Sequence, residues 1–329
     1  MTPPRRVVCL GEALVDFVCE RPVASLGEAD FFVPRPGGSL PNIAVAAARF
    51  GAPVELLGGA GDDEWGRWLR ERIAAEEVDA ERFVLMPGAA TSHAFVSVDA
   101  DREPSFAFYG DIERPAAYAG DDLEPALAGE PGVLVVGSDT LLGEAEREVT
   151  MRAADIARER AWLILCDPNL RPRRWDDHDE MLRVIRALVA NASVVKCNEG
   201  EAIRLGAEER VEDAAAALCS DGPDAVVVTL GRRGALVVTA NGVERVPGVE
   251  AEVVDTTGAG DSVAGVLAAG LAAGLEPGAL APVVRLAMEA AAGVVGTWGA
   301  TTGLPPAPEA RAQLTTALDR TSRSTRHTG

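Results

Sequence analysis

The sequence predicts an α/β fold in which helices cover both faces of a mostly parallel central sheet, with a small β-sheet lid attached. Short apolar segments have the length and composition of buried strands, at residues 133–137, 162–166, 193–197 and 225–230. Helical segments alternate with these strands, and this order winds into a parallel sheet. Two alternating segments, residues 92–98 and 105–109, predict a β-hairpin outside that order.

The other elements follow from the same patterns, taken in chain order. A first buried strand is expected at residues 6–10, and an alanine-rich helix at residues 43–50 is stopped by Gly51. Val253 and Val254 indicate the end of a strand before a glycine turn. The remaining expectations are a strand at 54–58, helices at 67–77, 144–160, 179–190, 211–220 and 283–295, and a second hairpin at 235–246.

A single domain is expected over residues 1–307. Extended segments at about residues 17–36 and 91–112 are inserted in it and predict the lid, a small sheet set apart from the main body. Open edges of such a sheet could pair two copies, so a homodimer through the lid is one prediction. Residues 308–329 are expected to form a C-terminal tail, a helix that frays into disorder.

The amino-acid composition limits the classes of partner and site that this chain can have. The chain has 329 residues, 47% of them hydrophobic, and a formal net charge of −20. A chain this acidic is a poor partner for nucleic acid or for an anionic membrane. Any phosphate site must therefore be local, built from backbone N–H groups and a few arginines. Lys196 is the only lysine.

Cysteine and histidine usage excludes several kinds of site. The five cysteines form no CxxC pair, which predicts reduced residues in a cytoplasmic protein. The three histidines, His93, His178 and His327, are far apart in sequence, so a zinc site or a histidine-based triad is not expected. The N-terminus lacks the long apolar segment of a signal peptide, and the apolar strands are too short to span a bilayer.

The most informative stretch is residues 255–271, DTTGAGDSVAGVLAAGL. A glycine turn leads into an acid, Asp261, and then into a helix. Small residues allow a ligand to approach the backbone, and a helix N-terminus directs unpaired N–H groups at an anion. A carboxylate there is explained either as a helix cap or as a base that takes a proton from an attacking hydroxyl.

A second glycine turn opens another helix at residues 37–51, GGSLPNIAVAAARFG. Asn42 there either caps the helix or binds a polar ligand. Ligands of wound α/β sheets bind at the carboxyl ends of the strands. Polar residues near those ends are therefore expected at one common edge: Asp16, Asn169, Arg171, Asn198, Glu201 and Thr229.

Taken together, the two glycine motifs resemble the two signatures of the ribokinase-like, or PfkB, family of carbohydrate kinases. The resemblance extends over roughly residues 6–305 and includes the hairpin and the α/β order between the motifs. It implies the ribokinase-like fold and an ATP-dependent transfer of phosphate to a sugar or nucleoside hydroxyl. It also implies Mg²⁺ and, in many members, a monovalent cation such as K⁺.

The resemblance implies a role for each matching residue. Asp261 matches the catalytic base, and the N–H groups of Gly258, Ala259 and Gly260 match the anion hole. The sugar would be bound by Asp16, Gly37, Gly38, Asn42, Arg171 and Asp261. The nucleotide would lie along Thr229, Gly231 and Gly234, with Gly258, Gly260 and Asn198 near its phosphates. Lys196 is not part of the resemblance; it could reach a phosphate because it directly precedes Cys197 and Asn198 and is the only lysine. Mg²⁺ would be organised by Asn198 and Glu201, mostly through water, and a monovalent cation by Asp255, Thr257 and backbone near residues 299–302.

Each of these residues also has a purely structural explanation. Asn198 could cap the next helix, Thr229 could simply end a strand, and Asp255 could start a turn. Arg171 could form a salt bridge with Asp167 or Asp176 instead of holding a phosphoryl oxygen. Helix capping by itself predicts no spacing between distant motifs, so the joint pattern favours the site.

Three segments resemble fructokinases in particular: residues 137–147 (GSDTLLGEAER), residues 165–175 (LCDPNLRPRRW) and FAFYG in the hairpin. The chain departs from that pattern at residues 110–117, where Asp111 and Glu113 could alter what the lid accepts. It also has Ser262 after GAGD, where a Phe is common, and Met288–Glu289 where an Asn commonly packs by the adenine.

Fructose is therefore the expected substrate. Alternatives within the family are 2-keto-3-deoxygluconate, ribose and nucleosides, although only 5% of the residues are aromatic and could stack a base. A non-catalytic sugar-binding regulator is an alternative of another class, and the intact GAGD motif argues against it. P-loop kinases and Rossmann dehydrogenases are excluded because their glycine motifs are missing.

Overall fold

The structure is a computed structural model of the chain, and it describes residues 3–100, 102, 104–110 and 118–325. Asp111 and Glu113, which the sequence singles out, lie outside the described residues. A wound α/β domain with a second, smaller sheet is observed, which confirms the predicted fold class.

The central sheet contains ten strands of the described residues. Nine of them follow one another across the sheet in the order Gly242–Val246, Ala235–Thr239, Ala225–Thr229, Val194–Asn198, Leu163–Asp167, Val133–Gly137, Val7–Leu10, Val54–Gly61 and Val78–Asp79. The tenth, Phe83–Met86, pairs with Val54–Gly61. Neighbouring strands are parallel except for the hairpin Ala235–Thr239 and Gly242–Val246, whose pairings are antiparallel.

Helices cover both faces of this sheet, because successive residues of a strand belong in turn to one of two hydrophobic cores. Val133 and Val135 belong to one core, and Leu134 and Val136 belong to the other. A strand buried on both faces reads as a continuous apolar run, which is why the sequence located these strands. Within the described residues the α-helices are Ser39–Arg49, Glu64–Ala74, Leu123–Ala126, Glu144–Glu159, His178–Val189, Glu199–Gly206, Val211–Ser220, Ala259–Ala272, Ala281–Val295 and Ala307–Thr325.

The lid is a four-stranded sheet in the order Val33–Gly37, Leu14–Pro22, His93–Val98 and Pro104–Tyr109. Its inner face has a small apolar cluster of its own, with Leu14, Val18, Ala94 and Val96 buried. Asp16 lies within this lid sheet, two residues into its strand, and not at the end of a central strand. Among the described strands each edge strand of the lid has one neighbour, and pairing between two copies stays a prediction.

Several boundaries differ from the expectation. The first helix begins at Ser39, four residues early, because a proline such as Pro41 is tolerated in a first turn where its missing N–H costs nothing. Glu199–Gly206 is a helix that the sequence pattern missed. Val253 and Val254 form no strand. The expected tail begins as the helix Ala307–Thr325, and residues 326–329 lie outside the described residues.

The described residues contain no helix long and apolar enough to cross a membrane. All five cysteines are free thiols, and four of them are buried. Burial raises the pKa of the Cys9, Cys166 and Cys197 thiols far above the usual value, as expected for inert core residues.

Candidate active site

A cavity of about 530 Å³ lies at the carboxyl edge of the central sheet, beneath the lid. Most of the predicted site residues line it: Asp16, Gly38, Asn42, Arg171, Lys196, Asn198, Glu201, Thr229, Gly231, Thr257, Gly258, Gly260 and Asp261. Gly37 is adjacent, since a Cβ on it would lie 2.3 Å from Asp16 Oδ2. Residues far apart in sequence are therefore brought together by the sheet edge and the lid.

The glycine turn before helix Ala259–Ala272 depends on close backbone approach. Gly258 has φ +80° and is the N-cap residue of the helix. A Cβ there would lie 2.4 Å from Ala300 Cα, so only glycine fits. A Cβ on Gly260 would lie 2.6 Å from Lys196 Nζ, which places the ammonium group against the turn. The turn thus combines helix N–H groups with a cation, and both favour an anion.

Asp261 accepts hydrogen bonds from residues of another helix, and it does not cap the helix to which it belongs. Ser39 Oγ and Asn42 Nδ2 each donate a 2.8 Å hydrogen bond to its carboxylate, one to each oxygen. Burial and the negative charge of Asp167 raise its pKa, and the two hydrogen bonds and Lys196 partly offset this rise. The helix-cap explanation is wrong for both Asp261 and Asn42, because Gly258 and Gly38 are the N-cap residues.

Lys196 is paired with Asp167 at 2.8 Å from Nζ to Oδ2, and both side chains are buried. Burial alone would lower the pKa of Lys196, but the charges of Asp167 and Glu201 outweigh it and raise the pKa. The ammonium group is therefore charged at neutral pH. Asp167 itself was missed as a site residue; it was considered only as a salt-bridge partner for Arg171.

Arg171 and Arg174 connect the sheet edge to the lid. Arg171 lies 5.8 Å from the ring centroid of Phe106, and Arg174 lies 5.4 Å from that of Phe108. Arg174 donates a 2.7 Å hydrogen bond to Asp139. Among the described residues Arg171 forms no salt bridge, and its buried Nε has no hydrogen-bond partner. The predicted alternative of an Arg171 salt bridge to Asp167 or Asp176 is therefore not observed.

Asp16 is buried at the lid side of the cavity. Burial and the charges of Asp261 and Asp255 raise its pKa to about 7, although Arg171 opposes the shift. Gly38 has φ +102°, and a Cβ on it would lie 2.5 Å from the backbone oxygen of Glu12. Gly37 and Gly38 therefore allow the first helix to begin directly beside the carboxyl group of Asp16.

Asn198 and Glu201 form a reciprocal capping box at the start of helix Glu199–Gly206. Glu201 accepts a 2.8 Å hydrogen bond from the N–H of Asn198 at one oxygen and another from the N–H of Leu170 at the other. Burial and Asp167 raise the pKa of Glu201. The capping alternative for Asn198 is thus observed, and the two side chains have oxygen atoms that could also hold metal-bound water.

Asp255 is fully buried and accepts hydrogen bonds from the N–H groups of Thr257 (2.9 Å) and Gly299 (3.2 Å). It therefore ties the glycine turn to the 299–302 loop, which fits the turn explanation. Thr257 Oγ1 is buried and has no partner among the described residues. No group of three or more His, Cys, Asp or Glu side chains in the described part of the chain could hold a metal ion.

A second cavity of about 770 Å³ adjoins the first and shares Thr229, Gly231, Thr256 and Gly260 with it. Its wall is largely apolar and includes Val253, Val263, Met288, Ala291, Ala292 and Val295. Ala259 lines it as well. Gly234 lines neither cavity; it has φ +94°, and a Cβ on it would lie 2.0 Å from the oxygen of Val246. Its glycine is explained by that close backbone contact.

Sequence reasoning missed five residues that belong to this site: Glu12, Ser39, Asp139, Asp167 and Arg174. Signals for them were present. Glu12 and Asp167 stand where strands end, and Ser39 is inside the first glycine motif. Asp139 and Arg174 lie inside the segments at residues 137–147 and 165–175. Glu12 Oε2, however, has no partner among the described residues, and the partners of the other four come from elements distant in sequence, so no local pattern identified the five.

The chain is similar to known proteins over most of its length. Residues 4–307 match the family described as pfkB family carbohydrate kinase. Fructokinase-1 of Zea mays is 36% identical over 262 residues, covering 79% of this chain and 81% of that protein. Probable fructokinase-4 of Arabidopsis thaliana is 33% identical over 313 residues, covering 94% and 96%.

Two solved structures are similar to this chain over nearly its whole length. Fructokinase from Vibrio cholerae O395, in its fructose, ADP and calcium ion bound form, is 30% identical with a TM-score of 0.82, covering 95% of this chain and 99% of that one. Aminoimidazole riboside kinase from Salmonella enterica is 28% identical with a TM-score of 0.80, covering 94% and 99%. The chain therefore belongs to the pfkB family of carbohydrate kinases and is an ATP-dependent sugar kinase.

Proposed function

We propose that this sugar kinase is a fructokinase, which transfers the γ-phosphate of ATP to fructose and forms fructose 6-phosphate. The observation that carries the mechanism is the placement of Asp261. It lines the polar cavity one residue after Gly260, which lines both cavities. A base at this position can reach a sugar in one cavity and the phosphates of a nucleotide that extends from the other. The names of the Zea mays and Arabidopsis thaliana relatives support fructose.

Asp261 acts as the general base in this proposal. Its carboxylate takes the proton of the sugar hydroxyl as that oxygen forms a bond to the γ-phosphorus, and the bond from phosphorus to the bridging oxygen of ADP breaks with its electrons going to ADP. Ser39 and Asn42 hold the carboxylate in place. The N–H groups of Gly258, Ala259 and Gly260 stabilise the charge on the transferred phosphoryl group.

The sugar is bound on the lid side of the polar cavity. Asp16 and the side-chain oxygen of Asn42 accept hydrogen bonds from hydroxyl groups, and Gly37 and Gly38 keep the backbone close enough to contact the ring. Arg171 has an unpartnered Nε beneath Phe106 and is available to a sugar or phosphoryl oxygen. A carboxylate and an amide together suit a neutral polyol.

The nucleotide occupies the apolar cavity, with Thr229 and Gly231 at the junction toward the phosphates. Lys196 lies against Gly260 and contributes a fixed positive charge there. Gly234 shapes the turn of this loop and has no contact with the nucleotide in this proposal. Because the adjoining polar cavity contains several acids, Lys196 offsets their repulsion of the phosphates.

The donor set fits a metal that is held mainly by phosphates and water. The side-chain oxygens of Glu201 and Asn198 already accept hydrogen bonds from backbone N–H groups, so the two residues would hold Mg²⁺ through water. This arrangement suits Mg²⁺, which gives up its bound water reluctantly. When bound, Mg²⁺ neutralises charge on the phosphates. Asp255 and Thr257 would hold a monovalent cation with backbone of the 299–302 loop, and the unpartnered Thr257 hydroxyl fits this.

An ADP-release assay tests the proposal directly. The purified protein is incubated with ATP, Mg²⁺ and one compound at a time from a panel of fructose, ribose, 2-keto-3-deoxygluconate, tagatose and adenosine. We expect the highest kcat/KM with fructose. A higher value for another sugar would contradict fructokinase activity, and no acceleration by any compound would favour a non-catalytic sugar-binding protein.

A further inference from the structure

Glu12 is a buried acid of the polar cavity that the mechanism above does not use. It follows the strand Val7–Leu10, lines the cavity and is only 2% exposed. Its Oε2 has no hydrogen-bond partner among the described residues. A buried polar atom without a partner destabilises a protein, so it calls for a ligand that supplies the missing bond.

The surroundings of Glu12 leave its Oε2 as an acceptor without a partner on this side of the cavity wall. Asp139, also buried at the cavity, already accepts a 2.7 Å hydrogen bond from Arg174. The guanidinium groups of Arg171 and Arg174 lie beneath Phe106 and Phe108 of the lid strand Pro104–Tyr109. A small polar molecule between this wall and the lid would therefore meet Glu12.

The protonation of Glu12 suits a hydroxyl group. Burial and the charge of Asp139 raise its pKa to about 8, partly offset by its own backbone N–H, Arg174 and Arg171. At neutral pH it is a carboxylic acid, with one O–H donor and a C=O acceptor. A hydroxyl likewise donates and accepts. A neutral acid also adds no further charge beside Asp16, whose own pKa is raised by neighbouring acids.

We propose that Glu12 is a specificity residue of the sugar site, whose carboxyl group binds one hydroxyl of the sugar on the side of the cavity formed by Asp139, Arg171 and Arg174. The inference rests on the proposed function in taking this cavity as the sugar site. A site that hydrogen-bonds a substrate hydroxyl rejects an analogue without it, because the buried polar group is then left unpaired. Glu12 would thus distinguish sugars by one hydroxyl.

The test compares Glu12→Met, which removes the hydrogen-bonding group, with wild type on D-fructose and its mono-deoxy analogues. We expect about a tenfold higher KM for fructose, the size of one lost hydrogen bond, with kcat and the KM for ATP within about threefold. For one deoxy analogue the KM of wild type is already raised, and Glu12→Met adds less than about twofold. Glu12→Gln, which keeps a donor and an acceptor, shows a smaller rise.

Ser92→Ala is the matched control. It removes another buried, unpartnered polar atom, and Ser92 does not line the cavity, so the KM for fructose is expected to stay the same. The proposal is overturned if Glu12→Met leaves the KM for fructose within twofold. It is also overturned if the variant raises the KM of every analogue by the same factor, since Glu12 then recognises no particular hydroxyl of the sugar.

A pH series keeps the proposal testable if Glu12→Met does not fold. The charged groups that face Glu12 are Asp139, Arg171 and Arg174. Above pH 8 the wild-type carboxyl ionises and loses its donor, so the KM for fructose rises more than in Glu12→Gln, in which only the groups common to both proteins, such as Asp16, still titrate. Identical profiles would overturn the proposal. If ribose proves the best substrate, the fructose proposal fails, and the same comparison is made with deoxy analogues of ribose.

Discussion

At the scale of single residues, the site depends on how one buried carboxylate is kept both oriented and basic. Asp261 receives hydrogen bonds at both oxygens, from Ser39 and Asn42. These bonds and Lys196 act against the burial and the Asp167 charge that raise its pKa. A base must be ionised to work, so the residues that lower its pKa are as important as those that bring it near the sugar.

Asp261→Asn is expected to bind sugar and ATP but to turn over at least about a hundredfold more slowly, because the amide cannot accept the proton. The measurement is kcat together with the dissociation constants of both substrates. Asp177→Asn is the control, since Asp177 is a helix-capping acid on the surface, and kcat should not change. Turnover of Asp261→Asn within about tenfold of wild type would refute the assigned role.

Lys196→Met should raise the pKa of Asp261, because it removes a positive charge that lowers this pKa. The acid limb of the pH profile of kcat/KM is then expected about one unit higher, the scale of a nearby charge in a buried site. The variant should also lose about 3–5 kcal/mol of stability, since Asp167 is left buried and unpaired.

The double variant Lys196→Met/Asp167→Asn separates the two effects. It removes the unpaired acid, so stability should recover, and it removes the Asp167 charge that raises the pKa of Asp261. The acid limb should then return toward that of wild type. An acid limb that stays at the same pH in all three proteins would exclude electrostatic coupling between Lys196 and the base.

At the scale of elements, two helices set the geometry of the base. Ser39–Arg49 carries Ser39 and Asn42, and Ala259–Ala272 carries Asp261. The helices touch at Gly265, where a Cβ would lie 2.4 Å from Ala46 Cβ and 2.8 Å from the backbone oxygen of Ile43. Their close approach is therefore possible only because this position has no side chain.

Gly265→Ala is expected to destabilise the protein by about 1–3 kcal/mol through overpacking, although alanine is the better helix former by about 1 kcal/mol. It should lower kcat as well, since separating the helices lengthens the bonds to Asp261. Urea unfolding and kcat check both effects. Gly278→Ala is the control, because a Cβ there meets nothing within 4 Å. A stabilised Gly265→Ala would show that the helix contact adapts.

At the scale of the whole molecule, an acidic chain concentrates acids in one buried site. Burial raises the pKa of Glu12 to about 8 and of Asp16 to about 7, and it raises the pKa of Glu201 and Asp261 as well. Because these groups ionise near pH 4 when unfolded, the folded state holds protons that the unfolded state has released. Their contribution to stability is thus present at low pH and is lost as pH rises through the folded values.

The free energy of unfolding is therefore expected to fall from about pH 5 to pH 8 and to level off above it. Each retained proton contributes about 1.4 kcal/mol per pH unit within its window. Asp16→Asn should reduce this slope, because the amide does not titrate. Urea unfolding of both proteins at several pH values gives the difference. Parallel curves for wild type and variant would mean that Asp16 ionises at the same pH in both states.

Prediction from the sequence succeeded where a local pattern had one explanation. The strand Val133–Gly137 was located to the residue, because a strand buried on both faces is a continuous apolar run. The helix Glu199–Gly206 was missed, since its first turn is polar and became recognisable only through the capping box of Asn198 and Glu201. Val253 and Val254 are apolar and β-branched, yet Val253 lines the second cavity and neither joins a strand.

By itself the sequence determined the family, most of the order of strands and helices, and the chemistry of a glycine turn followed by Asp261. The sequence is sufficient for these three, because they depend on the spacing of nearby residues and on residue types that few other structures require. Only the tertiary structure decided the partners: Asp261 with Ser39 and Asn42, more than two hundred residues away, and Lys196 with Asp167 in place of Arg171. Such pairs depend on how helices and strand ends pack, and Glu12 was left without a partner by the same packing.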